Sequence, residues 1–285
     1  MRRRLFIPGP TEVRAEILQA LATPQIGHRT PEFRELYGRV TGKLRAVLGT
    51  SGRVFLFASS STGLWEAAVR NLVRERVLFC VQGAFSERWH EVGRRNGKAV
   101  GRLDVEWGRA VRAEDVDREL SAGRYDAVAV VHNETSTGVI NRLDEIAAAV
   151  RAHDDVVLLV EAVSSFAGTP VPVDAWGIDF CLTGTQKALA LPAGLAIAAV
   201  SARARFALFA EPGRESPTLT CVSNDRGVAV PALIEDLGRE GVRIANGYGR
   251  LKDRTFRIGH MGDVETWELR GVLSAIDRIL GTPSA

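Results

Sequence analysis

Ala127-Val-Ala-Val-Val-His132, Leu143-Asp-Glu-Ile-Ala-Ala-Ala-Val-Arg-Ala152, Val156-Val-Leu-Leu-Val160 and Asp179-Phe-Cys-Leu-Thr183 follow one another along the chain, and this succession decides the fold class. The first, third and fourth are short, continuous apolar runs without alternation, which suits strands covered on both faces. The second places Leu143, Ile146, Ala147 and Val150 at the spacing of one helix face. Working outward, Val54–Ala58, Val77–Val81 and Gly194–Val200 read as further strands of the same kind. Gly63–Val73, Ser86–Asn96 and Ala113–Leu120 read as the helices between them. Such alternation predicts an α/β unit, an open and mostly parallel sheet with helices on both sides. Two more helices precede it, near Val13–Leu21 and over Pro31–Leu48, the latter with Thr30 as N-cap and Pro31 in its first turn.

Past Val200 the pattern changes. The polar turn cluster Ala210-Glu-Pro-Gly-Arg-Glu-Ser-Pro217 marks the expected boundary, giving a large domain over 1–210 and a small α+β domain over 211–285. The small domain is expected to hold strands at Thr218–Val222, Val242–Ala245 and Thr255–Ile258, with helices at Pro231–Glu240 and Glu265–Leu280. With 285 residues, 46% apolar and 25% charged, the composition is that of a globular protein and excludes collagen-like or disordered chains. The net charge of +3 rests on scattered arginines rather than a basic stripe, so no nucleic-acid partner is expected. Cys80, Cys181 and Cys221 are too few and too dispersed for a disulfide framework. No membrane-length apolar run and no signal-peptide pattern is seen, and the expectation is a cytoplasmic protein.

Only four of the 37 basic residues are lysine: Lys43, Lys98, Lys187 and Lys252. Lys187 lies just beyond a strand end with apolar residues after it, where a lysine can serve as a nucleophilic amine. The bland alternative is a lysine snorkelling at a loop edge. Ser60, Ser61 and Thr62 lie in a small-residue turn before a helix, a place for a phosphate or merely an ordinary N-cap. Glu161 ends an apolar strand, where a carboxylate needs a cationic or protonated partner; one of the many arginines would serve. Arg257, beside two nearby glycines, has the planar fork that grips a carboxylate, or is one more surface arginine.

Eight segments in order carry a resemblance. They are Arg3–Thr11 with its Pro-Gly-Pro-Thr, Gly27-His-Arg-Thr-Pro-Glu-Phe33, Ser60-Ser-Thr-Gly-Leu-Trp-Glu-Ala67, Gly83-Ala-Phe-Ser-Glu-Arg-Trp89, His132-Asn-Glu-Thr-Ser-Thr-Gly138, the Glu161 segment, Gly184-Thr-Gln-Lys-Ala-Leu189 and Arg257-Ile-Gly-His-Met-Gly262. Together they resemble the class V pyridoxal-phosphate aminotransferases of the alanine–glyoxylate / serine–pyruvate type, over nearly everything up to Ala202 and again from about Pro217. The resemblance implies a fold-type I large domain, pyridoxal 5'-phosphate as cofactor, a homodimer and no metal. It implies transamination between a small amino acid, alanine- or serine-like, and a 2-oxo acid such as glyoxylate or pyruvate. Lys187 would form the internal aldimine and shuttle the proton. Ser60, Ser61 and Thr62 would hold the cofactor phosphate with Gln186 nearby, and Phe85 would stack on the ring. Thr135 would bond the ring hydroxyl side, Glu161 the ring nitrogen, and Arg257 would clamp the substrate carboxylate.

Three departures stand out. Glu161 occupies a position that is usually Asp, and Ser61 replaces the usual phosphate-loop glycine. Between Ala202 and Pro217 the family carries many more residues, including a Thr-Pro segment given to the neighbouring subunit's phosphate site; Ser216-Pro217-Thr218 is the available stand-in. That shortening motivates the alternative of a weakened or inactive paralogue that binds a ligand or partner. Desulfurase chemistry, a third reading, needs a reactive cysteine on a mobile loop, whereas all three cysteines fall in strand-like runs.

Overall fold

The computed structural model describes residues 5–153, 156–201, 219–224, 228–259 and 266–280. It forms two compact units, Met1–Ala204 and Arg205–Ala285. The expected boundary after residue 210, the shortened segment and Ser216-Pro217-Thr218 lie outside the described residues, as do His260, Met261 and Gly262.

In the first unit, α1 (Ala15–Ala20) and α2 (Pro31–Leu48) precede β1 (Arg53–Ala58), α3 (Ser61–Leu72) and β2 (Arg76–Val81). Then come α4 (Ala84–Arg95), β3 (Ala99–Asp104), α5 (Ala113–Ala122) and β4 (Ala127–Val131). A two-residue hairpin, β5 (Asn133–Glu134) and β6 (Val139–Ile140), leads to α6 (Leu143–Arg151), β7 (Val157–Glu161) and α7 (Val173–Trp176). The unit closes with β8 (Phe180–Gly184) and β9 (Leu195–Val200). Thr30 caps α2 by accepting from the Phe33 amide, Pro31 opens its first turn, and Gly49 at φ 57° ends it.

Seven strands make one sheet in the order β1-β9-β8-β7-β4-β2-β3. β9 is antiparallel to both of its neighbours, β1 and β8, and every other pairing is parallel. Six strands therefore point their C-terminal ends the same way. The apolar runs are continuous because alternate residues enter two cores. Leu78, Cys80, Val128, Val130, Leu158 and Val160 pack on one face with Leu143, Ile146 and Val150 of α6. Val77, Phe79, Val81, Ala129 and Leu159 pack on the other with Leu64, Trp65 and Val69 of α3 and Trp89 of α4. Trp89 stacks on Trp65 at 6.1 Å and meets the edge of Phe79 at 6.0 Å, anchoring α4 over the sheet.

The second unit contains β10 (Leu219–Ser223), α8 (Val230–Arg239), β11 (Ala245–Asn246), β12 (Thr255–Gly259) and α9 (Thr266–Ile279). Its antiparallel sheet runs β10-β12-β11, and its own core gathers Leu233, Leu237, Phe256, Ile258 and Ile276. The strand expected at Val242–Ala245 is instead the two-residue β11, since Val242 and Ile244 pack against that core before any pairing begins.

Candidate active site

With six strand ends on one edge, the loops after β1, β2, β4, β7 and β8 lie where an open α/β sheet collects ligands. The sequence places a candidate residue on each of them.

After β1 the chain turns through Ser59 and Ser60 into α3. Ser60 is the N-cap residue, yet its hydroxyl makes no cap bond and is exposed. An ordinary N-cap does not account for it. Ser61 is buried, and its Oγ has no hydrogen-bond partner among the described residues. Thr62 is half-buried in the same turn. A Cβ built on Gly184, at the end of β8, would lie 2.6 Å from both Ser61 Oγ and Gln186 Oε1. Ser61, Gly184 and Gln186 thus meet at the N-terminus of a twelve-residue helix, whose first-turn amides and dipole favour an anion. Gly184, quoted within a motif but given no role by the sequence, has as its signal a glycine that ends a buried strand.

Glu161 closes β7 at 4% exposure. Among the described residues, its carboxyl accepts a single hydrogen bond, from the Val163 amide at 3.1 Å, and has no salt bridge. No arginine among the described residues fills the partner role offered by the sequence. Burial pushes the carboxyl up to about 8; the Val163 bond and the Lys187 charge oppose the rise, and the Glu134 charge adds to it.

Glu134, quoted within a motif but given no role by the sequence, is fully buried at the end of β5, just beyond β4. Oε2 accepts from the amide and hydroxyl of Ser86 at 3.0 and 2.9 Å. Oε1 accepts from Phe85 N at 3.3 Å and from Ser136 N and Oγ at 3.2 and 2.6 Å. Burial opposes its charge, but these bonds outweigh that and hold the carboxyl below its ordinary value. The carboxylate so tied to the first turn of α4 fixes the backbone of half-buried Phe85. Nearby, Thr135 Oγ1 donates to Ser164 Oγ at 2.8 Å, and Ser164 donates to the Asn133 carbonyl at 3.0 Å. This joins the loop after β4 to the loop after β7.

Lys187 is half-buried, and Ala188, Ala193, Gly194 and Leu195 beyond it are exposed. Within one chain the cover over Lys187 is the N-terminal segment. Nζ donates to the Pro8 carbonyl at 2.7 Å. Thr11 N donates to the Gln186 carbonyl at 3.1 Å and Thr11 Oγ1 to the Lys187 carbonyl at 2.9 Å. Snorkelling does not describe an amine held this way. No local sequence signal reveals a contact between residues 179 positions apart.

Arg257 lies on β12 in the second unit, half-buried, with Nε donating to the Asn246 carbonyl at 2.9 Å across to β11. Cys80 and Cys181 are buried, and burial pushes both thiols up to about 12, so neither offers the thiolate that desulfurase chemistry needs. Among the described residues, no helix is long and apolar enough to cross a membrane.

The family model described as Aminotransferase class-V matches residues 13–225. An uncharacterized aminotransferase of Methanocaldococcus jannaschii is 42% identical over 210 residues, covering 72% of this chain and 54% of that protein. A serine–glyoxylate aminotransferase of Methylorubrum extorquens is 36% identical over 220 residues, covering 75% and 55%. The chain spans about half the length of the curated relatives it matches. Among solved structures, a ureidoglycine–glyoxylate aminotransferase from Bacillus subtilis superposes with a TM-score of 0.68 at 25% identity, covering 100% of this chain and 95% of that one.

Proposed function

The chain belongs to the class-V aminotransferase family, and on that premise we propose that it transfers an amino group between a small amino acid, alanine- or serine-like, and a 2-oxo acid such as glyoxylate or pyruvate. Family membership implies pyridoxal 5'-phosphate as the cofactor. The residues present fit that group. The unpartnered Ser61 hydroxyl faces the space left by Gly184 at a helix N-terminus, and Glu161 is a buried carboxyl without a side-chain partner. This pairing of an unpartnered hydroxyl at a helix N-terminus with a buried carboxyl that has no side-chain partner among the described residues, on one edge of one sheet, is the observation that carries the reading.

In this mechanism Ser60, Ser61 and Thr62, with Gln186, hold the phosphate through hydroxyls and the amides of the first turn of α3. Phe85 presents its ring as a flat apolar platform, kept in place by Glu134. Thr135 holds the ring hydroxyl side and is itself braced by Ser164. Glu161 would pair with the ring nitrogen and hold a proton there. A carboxyl whose affinity for a proton is raised by burial can supply that proton at neutral pH. Bound pyridoxal phosphate supplies an electron sink for the breaking Cα–H bond. Lys187 would supply the amine that holds the cofactor and, when free, would hold and move the proton at the substrate Cα. Arg257 receives the substrate carboxylate through its guanidinium fork. A homodimer is part of the proposal. It accords with α1, which buries no residue within one chain, and with the exposed Leu18, Leu21 and Ile26 around it.

Purified protein with pyridoxal phosphate and a panel of amino donors and 2-oxo acceptors tests the proposal. Transamination of alanine or serine with glyoxylate or pyruvate, abolished by Lys187→Ala, is expected. Cofactor uptake with no turnover over the whole panel would instead establish the binding-only alternative.

A further inference from the structure

Lys187 is one of four lysines, and its amine is bonded to backbone from the far end of the chain. Three features of that segment bear on it separately. The Pro8 carbonyl accepts from Nζ at 2.7 Å. A Cβ on Gly9 would lie 2.7 Å from Lys187 Cδ, 2.9 Å from Nζ and 3.0 Å from Cε, and Gly9 has a φ of 136° that L side chains rarely adopt. Thr11 binds the carbonyls of both Gln186 and Lys187, fixing the backbone from which the side chain springs. The lysine stem therefore runs directly over a glycine, clamped at its root by Thr11 and at its tip by Pro8.

We propose that Pro8–Thr11 is a positioning segment for Lys187: the Pro8 carbonyl gives the amine a fixed place whenever it is not bonded to cofactor, Gly9 leaves the space the stem occupies, and Thr11 sets its root. This rests on Lys187 being the cofactor lysine. The physical consequence is that the free amine has one place to wait, within reach of the site, instead of the many rotamers open to a half-exposed lysine. An added methyl at position 9 pushes the methylenes aside and breaks the bond to Pro8. Loss of the Thr11 hydroxyl frees the Lys187 carbonyl while the Thr11 amide bond to Gln186 remains.

The test is trace acetylation of cofactor-free protein by acetic anhydride at neutral pH, with peptide mass mapping, using the exposed Lys43 and Lys252 as internal references. In the wild type, Lys187 labels roughly tenfold more slowly than Lys43 and Lys252, as befits an amine engaged by a carbonyl. Gly9→Ala and Thr11→Val bring it to within about twofold of them, and Thr11→Ser retains the wild-type rate. A Lys187 rate equal to that of Lys252 in the wild type, or one unchanged by both variants, overturns the proposal. Should Gly9→Ala not fold, Thr11→Val against Thr11→Ser decides it. Cofactor uptake is followed separately by visible absorbance: a wild-type protein that takes up none defeats the functional reading, while the labelling still decides the Pro8 contact.

Discussion

Replacing Glu161 by Gln removes the ionisable group that the structure holds most unfavourably for charge. In the cofactor-free fold this carboxyl is 4% exposed, bonds a single amide, and is pushed up to about 8 from an ordinary 4.5, chiefly by burial. The native state therefore keeps a proton that the unfolded chain gives up. Protons bound are then fewer in the unfolded state, so stability falls as pH rises. The contribution is fully present below about 4.5 and is lost as pH climbs toward 8. At 1.36 kcal/mol per unit the loss is at most about 5 kcal/mol. Glutamine has the same length and no charge to bury, so this loss should vanish. Denaturant unfolding of wild type and Glu161→Gln at several pH values, without cofactor, should give similar stabilities near pH 5. By pH 8 the variant should be the more stable, by several kcal/mol. His132, which burial drops to about 4, contributes a pH dependence of opposite sign, but it is common to both chains and cancels in the difference. Parallel stability curves for the two proteins would refute the reasoning, because they would mean that Glu161 is not protonated in the folded state. With pyridoxal phosphate present the same variant should retain cofactor less well.

Gly184→Ala places a methyl 2.6 Å from Ser61 Oγ and Gln186 Oε1. Titration should show cofactor affinity falling about tenfold or more, while unfolding shifts by no more than about 1–3 kcal/mol, since both clashing groups are side chains. Glu134→Gln turns an NH2 toward donors on Ser86 or Ser136; about 1–3 kcal/mol of stability is expected to go, with weaker cofactor binding as Phe85 loses its brace, measured by melting and by absorbance. Trp89→Ala removes the largest fully buried side chain from between α4 and the sheet and should cost about 3–5 kcal/mol by chemical denaturation, with no specific effect on cofactor binding in the protein that remains folded.

The interior strands were legible because burial on both faces makes them uninterrupted: β2, β4, β7 and β8 each begin or end within a residue of the run that announces them. β3 was not. Ala99-Val-Gly-Arg-Leu-Asp alternates between exposed and buried positions at the sheet edge and carries a glycine, so it lacks that signature. Within the site, the motifs around Ser61, Glu161 and Lys187 announced themselves by chemistry out of place, a hydroxyl run at a helix start and charges at the ends of apolar strands. Glu134 was hidden by the opposite circumstance, since its partners, Phe85 and Ser86 in the first turn of α4 and Ser136 in a turn, look ordinary alone. The N-terminal contact with Lys187 depends on chain closure over nearly two hundred residues, which local pattern does not encode. Arg257 was legible as a candidate and remains one, placed on β12 of the second unit.

In the proposed reaction Lys187 is the amine that carries pyridoxal phosphate. Incubation with the cofactor, borohydride reduction and peptide mass mapping put it to the most direct test. A reduced cofactor adduct is expected on Lys187 and not on Lys43, Lys98 or Lys252. An adduct spread over those other lysines, or none on Lys187, would contradict it.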